Sequence, residues 1–166
     1  FQRQVAADPA DVRARHSLSI GFEKIGDVRR GAGDHAGARE RYVEALHVRE
    51  ELTSRDPENV RYRRDLAVAE AKVGLASELI GDLPAARASY ERSLALRERL
   101  AAQDASDAGA RFDVATAHRQ LANLAWSERR RETAIRHYRA GLVLATGLAK
   151  ADPANRDFQA LADSLV

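Results

Sequence analysis

No cysteine occurs among the 166 residues, so a disulfide framework, a thiolate metal site and a cysteine nucleophile are all excluded. That composition suits a reducing compartment, and the cytoplasm is the expected location. Proline numbers four and aromatics make up 5% of the chain, which argues against a sheet protein with closely spaced turns. Long hydrophobic runs are also missing: no stretch of eighteen apolar residues could form a membrane span, and no basic segment leads into an apolar one at the start. An excess of charge of one sign is missing too. Lysine and arginine total 27 against 25 for aspartate and glutamate, and the signs are interleaved. Such a chain generates no strong field to attract nucleic acid or an anionic membrane. What remains abundant is alanine, leucine, arginine and glutamate, the balance of amphipathic helices, and the expected class is all-α.

Catalytic patterns are absent as well. There is no glycine-rich phosphate loop, no His-Glu-x-x-His, and no serine in a strand-to-helix elbow. Histidines stand at 16, 35, 47, 118 and 137, and no two are three or four apart, as a metal site on one helix would need. The expectation is a protein without enzymatic activity, cofactor or metal. Basic clusters at Arg61, Arg63 and Arg64 and at Arg129, Arg130 and Arg131 invite a nucleic-acid reading. Asp65, Glu128 and Glu132 offset much of that charge and no aromatic platform interleaves, so solvated helix ends are the better account.

Self-similarity dominates the rest. An aspartate, usually followed by proline, recurs at Asp8-Pro9, Asp56-Pro57, Asp104-Ala105 and Asp152-Pro153, always 48 residues apart. Superposed copies align Ile25, Val73 and Leu121; Gly26, Gly74 and Ala122; Ala38, Ala86 and Ala134; Tyr42, Tyr90 and Tyr138; and Leu46, Leu94 and Leu142. The apolar columns should be buried, and the glycine/alanine column should permit close helix approach. Each copy divides into two helices. Asp-Pro is expected to start the first, with the carboxylate as cap and proline at the first helical position. Gly81-Asp82 is expected to end it and to cap the second. Helices are therefore predicted near 9–31, 35–54, 57–80, 83–103, 106–128 and 131–150, with another beginning at Pro153. In the third copy the break at 127–131 contains no glycine. Connections this short predict antiparallel hairpins. The units would be 8–55, 56–103, 104–151 and a partial fourth from 152, forming one repeat domain within a longer protein.

These columns resemble the tetratricopeptide repeat, with its aromatic, Leu-Gly, Ala-x3-aromatic and Pro pattern. The matching residues are Phe22, Ile25, Gly26, Ala38 and Tyr42, then Val73, Gly74, Ala86 and Tyr90, then Leu121, Ala122, Ala134 and Tyr138. The spacing from the glycine/alanine column to the following alanine is 12 in each copy, as in the family. The period departs, since 48 exceeds the family's roughly 34 residues. The extra length divides into two additions of about two helical turns, which return the apolar stripe to nearly the same face. A further departure is the first aromatic column, which holds Phe22, Glu70 and His118.

The resemblance implies a right-handed α-solenoid that binds a peptide or protein segment on a concave face lined by the first helix of each unit. Carried over residue by residue, that face holds Glu23, Asp27 and Arg30, then Lys72, Leu75 and Glu78, then Arg119, Asn123 and Trp126. Family members that grip a terminal carboxylate use lysine and asparagine where this chain has Glu23 and Asp27, so a basic ligand would be favoured there. Trp126 is the sharpest candidate, either as a partner anchor or packed near Phe158. Similar long repeats accompany kinase, protease or signalling domains in bacteria. The other expected role is therefore a scaffold within a larger signalling protein, engaging the parent chain or forming homo-oligomers through the ends of the array.

Overall fold

The computed structural model describes residues 12–166. Seven helices occur among them: α1 (Val12–Gly31), α2 (His35–Arg55), α3 (Val60–Leu79), α4 (Leu83–Gln103), α5 (Ala108–Ser127), α6 (Arg131–Ala151) and α7 (Arg156–Asp163). No strand is present among the described residues. First helices begin at 60, 108 and 156, and second helices at 35, 83 and 131, so the period of 48 holds in three dimensions to the residue. The first Asp-Pro pair and the helix start expected near residue 9 lie outside the described residues.

The caps correct one expectation. Asp-Pro does not start the first helices, which begin three residues later, capped by Asn59, Asp107 and Asn155. Asn59 accepts from the amide of Tyr62, Asp107 from that of Ala110, and Asn155 from those of Asp157 and Phe158. Asp56 instead closes the helix before it, its amide donating to the Leu52 carbonyl. Its carboxylate accepts from the Asn59 side chain at 3.0 Å, joining the two ends of the turn. A second polar column, also spaced by 48, thus does the capping that proline's neighbour was expected to do.

The second-helix caps follow the expectation in two copies. Asp34 accepts from the amide of Gly37, and Asp82 from that of Ala85. Gly33 and Gly81 before them both adopt φ +82°, the left-handed conformation that glycine tolerates without a Cβ penalty. The third copy makes the same turn from arginines. Arg129 stands at φ 59°, and Arg130 caps α6 without a side-chain hydrogen bond. The turn is therefore dictated by its place in the repeat and is strained where its sequence differs. Left-handed backbone costs a non-glycine residue about 1–2 kcal/mol, and a missing cap costs about 1 kcal/mol. Arg129→Gly with Arg130→Asp is expected to raise stability by about 1–2 kcal/mol, measured by urea unfolding. An unchanged midpoint would show that strain and capping are relieved some other way.

Contacts divide the chain into two compact units, one up to Ser89 and one from Tyr90. In the first, α1 packs on α2 and α2 on α3. Its core comprises Ala38, Tyr42 and Leu46 of α2 against Ala69, Val73 and Ala76 of α3. Tyr42 is 1% exposed, and a Cβ on Gly26 would lie 2.5 Å from its ring. The glycine column therefore makes the close approach expected of it. In the second unit, α5 packs on α6 and α6 on α7, with Ala115, Ala145, Leu161 and Leu165 at the centre and Phe112 stacked on Phe158 at 5.6 Å. Leu165 meets Tyr138 and Leu142 there as Ala69, its counterpart two repeats earlier, meets Tyr42 and Leu46.

Not every core column is buried. Val73 and Leu121 are, but Ile25 is 48% exposed. Val73 of this column packs against the second helix of the preceding copy, in one core with Tyr42 and Leu46. Tyr138, Leu94 and Leu142 are half-buried rather than buried.

Candidate functional site

At least six of the nine residues expected on one binding face, Glu78 among them, already have partners within the chain. In the first unit Lys72 of α3 reaches back to α1, its Nζ 2.6 and 2.8 Å from the Asp27 carboxylate and 3.1 Å from Glu23. Asp27 also accepts from the Tyr42 hydroxyl at 2.8 Å. Glu23 pairs in addition with Arg49 of α2, which is 4% exposed and whose Nη1 donates to the Asp65 carbonyl at 3.0 Å. Burial alone would raise the Asp27 carboxyl, but the hydrogen bonds from Lys72 and Tyr42 outweigh it and hold the group below the usual carboxylate range. Burial and the bond to Asp27 push the Tyr42 hydroxyl up to about 12.

This network changes the expected ligand charge. Glu23 and Asp27 are met by Lys72 and Arg49, so they no longer present two free carboxylates to a basic partner. Arg30 remains exposed at its edge, and Leu75 and Glu78 are half-buried on α3.

The second unit reproduces part of the pattern. Asn123, the counterpart of Asp27, accepts from the Tyr138 hydroxyl at 2.7 Å. Arg97, the counterpart of Arg49, donates to the Asp113 carbonyl at 2.9 Å, and burial pulls its guanidinium below the ordinary range. The buried arginines were legible as a column 48 apart, yet arginine on a helix is ordinarily taken as solvent-facing. Arg119 lies beside α7, where its Nη1 approaches the Ser164 hydroxyl at 3.4 Å.

Two histidines that sequence spacing kept apart meet across the α5–α6 pair. The Nδ1 atoms of His118 and His137 lie 3.0 Å apart, one ring donating and the other accepting. Burial lowers both pKa values, against Glu98 for His118 and with help from His118, Arg136 and Arg130 for His137. Among the described residues no group of three histidine, cysteine or acidic side chains is placed to hold a metal. Protonating both rings turns the contact into a repulsion. Because the folded pKa values lie below that of free histidine, about 6.5, this pair's contribution is fully present above that pH. It is lost as the pH falls through the lowered values. Thermal unfolding at pH 7.5 and pH 5 should show a decline that is smaller in His137→Gln; equal declines would remove the pair as its source.

Trp126 is 58% exposed and does not pack on Phe158, which is stacked on Phe112. Its indole borders a groove of about 420 Å³ lined also by Ile135, Tyr138, Arg139, Leu142, Ser164, Leu165 and Val166. A neighbouring recess is lined by Trp126, Ser127, Arg129 and Arg131, and another by Glu132, Ile135, Arg136 and Arg139. Ile135, Tyr138, Arg139 and Leu142 come from a second helix. The sequence reading missed them because it assigned binding to first helices alone. The lining combines apolar Trp126, Ile135, Leu142, Leu165 and Val166 with polar Tyr138, Arg139 and Ser164.

This chain is a helical repeat. BtubC (BKLC) from P. vanneervenii has a similar structure, with a TM-score of 0.59 and 21% sequence identity. The alignment covers 99% of this chain and 66% of that one, so the chain spans just under two thirds of BtubC. The de novo designed helical repeat protein DHR64 aligns at a TM-score of 0.40 and 15% identity, over 99% of this chain and 84% of the design. No family model matches the sequence, and no curated protein matches it. No described helix is long and apolar enough to cross a membrane.

Proposed function

We propose that this chain is a non-catalytic protein-interaction module of the tetratricopeptide type, built from long helices, that holds a peptide or protein segment in the groove beside Trp126. The observation that carries the reading is Trp126 itself, a large indole 58% exposed on a packed first helix. Exposed aromatics over an apolar floor are favoured anchors for a partner chain. Helices held by stacking pre-organise the groove, so the segment alone bears most of the ordering entropy. Assignment to the tetratricopeptide type is supported by the constant spacing to the alanine column and by the contact of Gly26 with the Tyr42 ring. A bacterial cytoplasmic setting, within a larger signalling protein, fits the lack of cysteine and the resemblance to repeats of that kind.

A second reading, assembly of copies, is favoured by the same apolar groove, since an identical chain could cover it. Light scattering over a range of concentrations separates the two. A monomer that selects short peptides from a random displayed library, and loses them on Trp126→Ala, is the expected result. A concentration-dependent dimer that Trp126→Ala dissociates would transfer the groove to assembly. A monomer that selects no peptide would leave the groove without a role.

A further inference from the structure

We propose that the turn between α5 and α6 is a cleavage site for an arginine-directed endopeptidase, one whose specificity pocket holds a carboxylate to pair with a guanidinium. Placement decides it. The turns between described helices span 32–34, 56–59, 80–82, 104–107, 128–130 and 152–155, and only 128–130 contains a basic residue. Every other lysine and arginine among the described residues lies within a helix. Arg129 and Arg130 are both exposed. Gly33, Asp34 and Gly81, at the same positions of the earlier copies, are exposed as well, so the exposure comes from standing at a hairpin tip.

A protease takes its substrate extended, so the turn must first open locally. The backbone resists equally at each tip: Glu128, Arg129 and Arg130 donate to Leu124, Trp126 and Ala125 as Ile80, Gly81 and Asp82 donate to Ala76, Glu78 and Ser77. The side chains make the difference. Arg129, at φ 59°, is the one non-glycine residue with positive φ among the described residues, and opening relieves its strain. Arg130 caps α6 without a side-chain hydrogen bond, whereas Asp34 and Asp82 each have one to lose. The Arg130 pair with Glu128, at 3.4 Å and half-exposed at the arginine, opposes opening only weakly. The tip that opens most readily is thus the one that carries arginine. Hydrolysis breaks the amide C–N bond after Arg129 or Arg130, water supplying the hydroxyl of the new carboxyl group and a proton to the new amine. The cut severs the covalent link between α5 and α6, which share the core of Ala115 and Ala145, and leaves α6 and α7 held to α5 by packing alone.

The test is brief digestion of the full chain with a low ratio of trypsin, the fragments being identified by mass spectrometry, on the wild type and on Arg129→Gly. The wild type should part after Arg129 or Arg130 before any other cut within residues 12–166. Arg129→Gly keeps the bond after Arg130 and removes the strain, so the early cut should stay at this turn and slow about tenfold. A first cut elsewhere, such as after Arg30 at the end of α1, overturns the proposal. So does simultaneous cutting at many helical sites, the mark of global rather than local opening. Equal early rates in the two chains overturn it as well, because the strain would then have no part in exposing the bond.

Discussion

Tyr42→Ala is expected to destabilise the chain by about 3–5 kcal/mol, read as a shift of the urea midpoint at unchanged slope. Three effects coincide at this residue. Its ring is 1% exposed and lies in the core with Leu46, Ala69 and Val73, so truncation opens a cavity that helices on both sides cannot close. The Gly26 backbone approaches the ring closely enough to exclude even a methyl group, so the helix pair is shaped to this side chain. The hydroxyl donates to Asp27, which Lys72 also holds, so α1, α2 and α3 lose a shared point of attachment. Tyr42→Phe separates packing from hydrogen bonding: it keeps the ring, and the loss should be about 1 kcal/mol, that of one hydrogen bond. A loss as large as that of alanine would mean that the hydroxyl stabilises the chain more than the packed ring does. Tyr90, 2% exposed and in the same repeat column, should be as sensitive to truncation.

Arg49→Met should cost about 2–4 kcal/mol in the same experiment. The substitution preserves most of the apolar stem but removes the guanidinium that joins Glu23 of α1 to the Asp65 carbonyl of α3. The carbonyl loses a charged donor inside the packed unit, and that is the larger part of the cost. Glu23 contributes less, because its side chain is 21% exposed and keeps Lys72 at 3.1 Å. Pairing Arg49→Met with Glu23→Gln in a double-mutant cycle isolates the ion pair, for which a coupling of about 1 kcal/mol is expected. A neutral Arg49→Met would mean that this buried arginine is tolerated rather than required, as buried ion pairs sometimes are.

The helices were legible because their signals are local and repeated. Alanine- and leucine-rich stripes, glycine before aspartate, and a period of 48 determine where helices start, stop and turn. The cap was misplaced by three residues because Asp56 and Asn59 are both plausible caps, and only the backbone shows which side chain faces the orphan amides. The arginine turn at Arg129 shows the reverse case, in which a neighbouring helix pair imposes a conformation that the local sequence does not favour.

The candidate site was legible only in part. Trp126 was singled out from its place in the repeat, and the groove around it comes from α6 and α7 as well. Glu23 and Asp27 read as free carboxylates in one dimension, since Arg49 and Lys72 stand 26 and 45 residues further along the chain. His118 and His137 likewise meet only once α5 lies on α6. By itself the sequence determined the class, the period, the helices and the small-residue contacts, all set by neighbours within a few turns or by repetition. The tertiary structure decided which charges are neutralised and which indole is uncovered, because Coulomb and packing energies depend on distance in space, which chain separation does not measure.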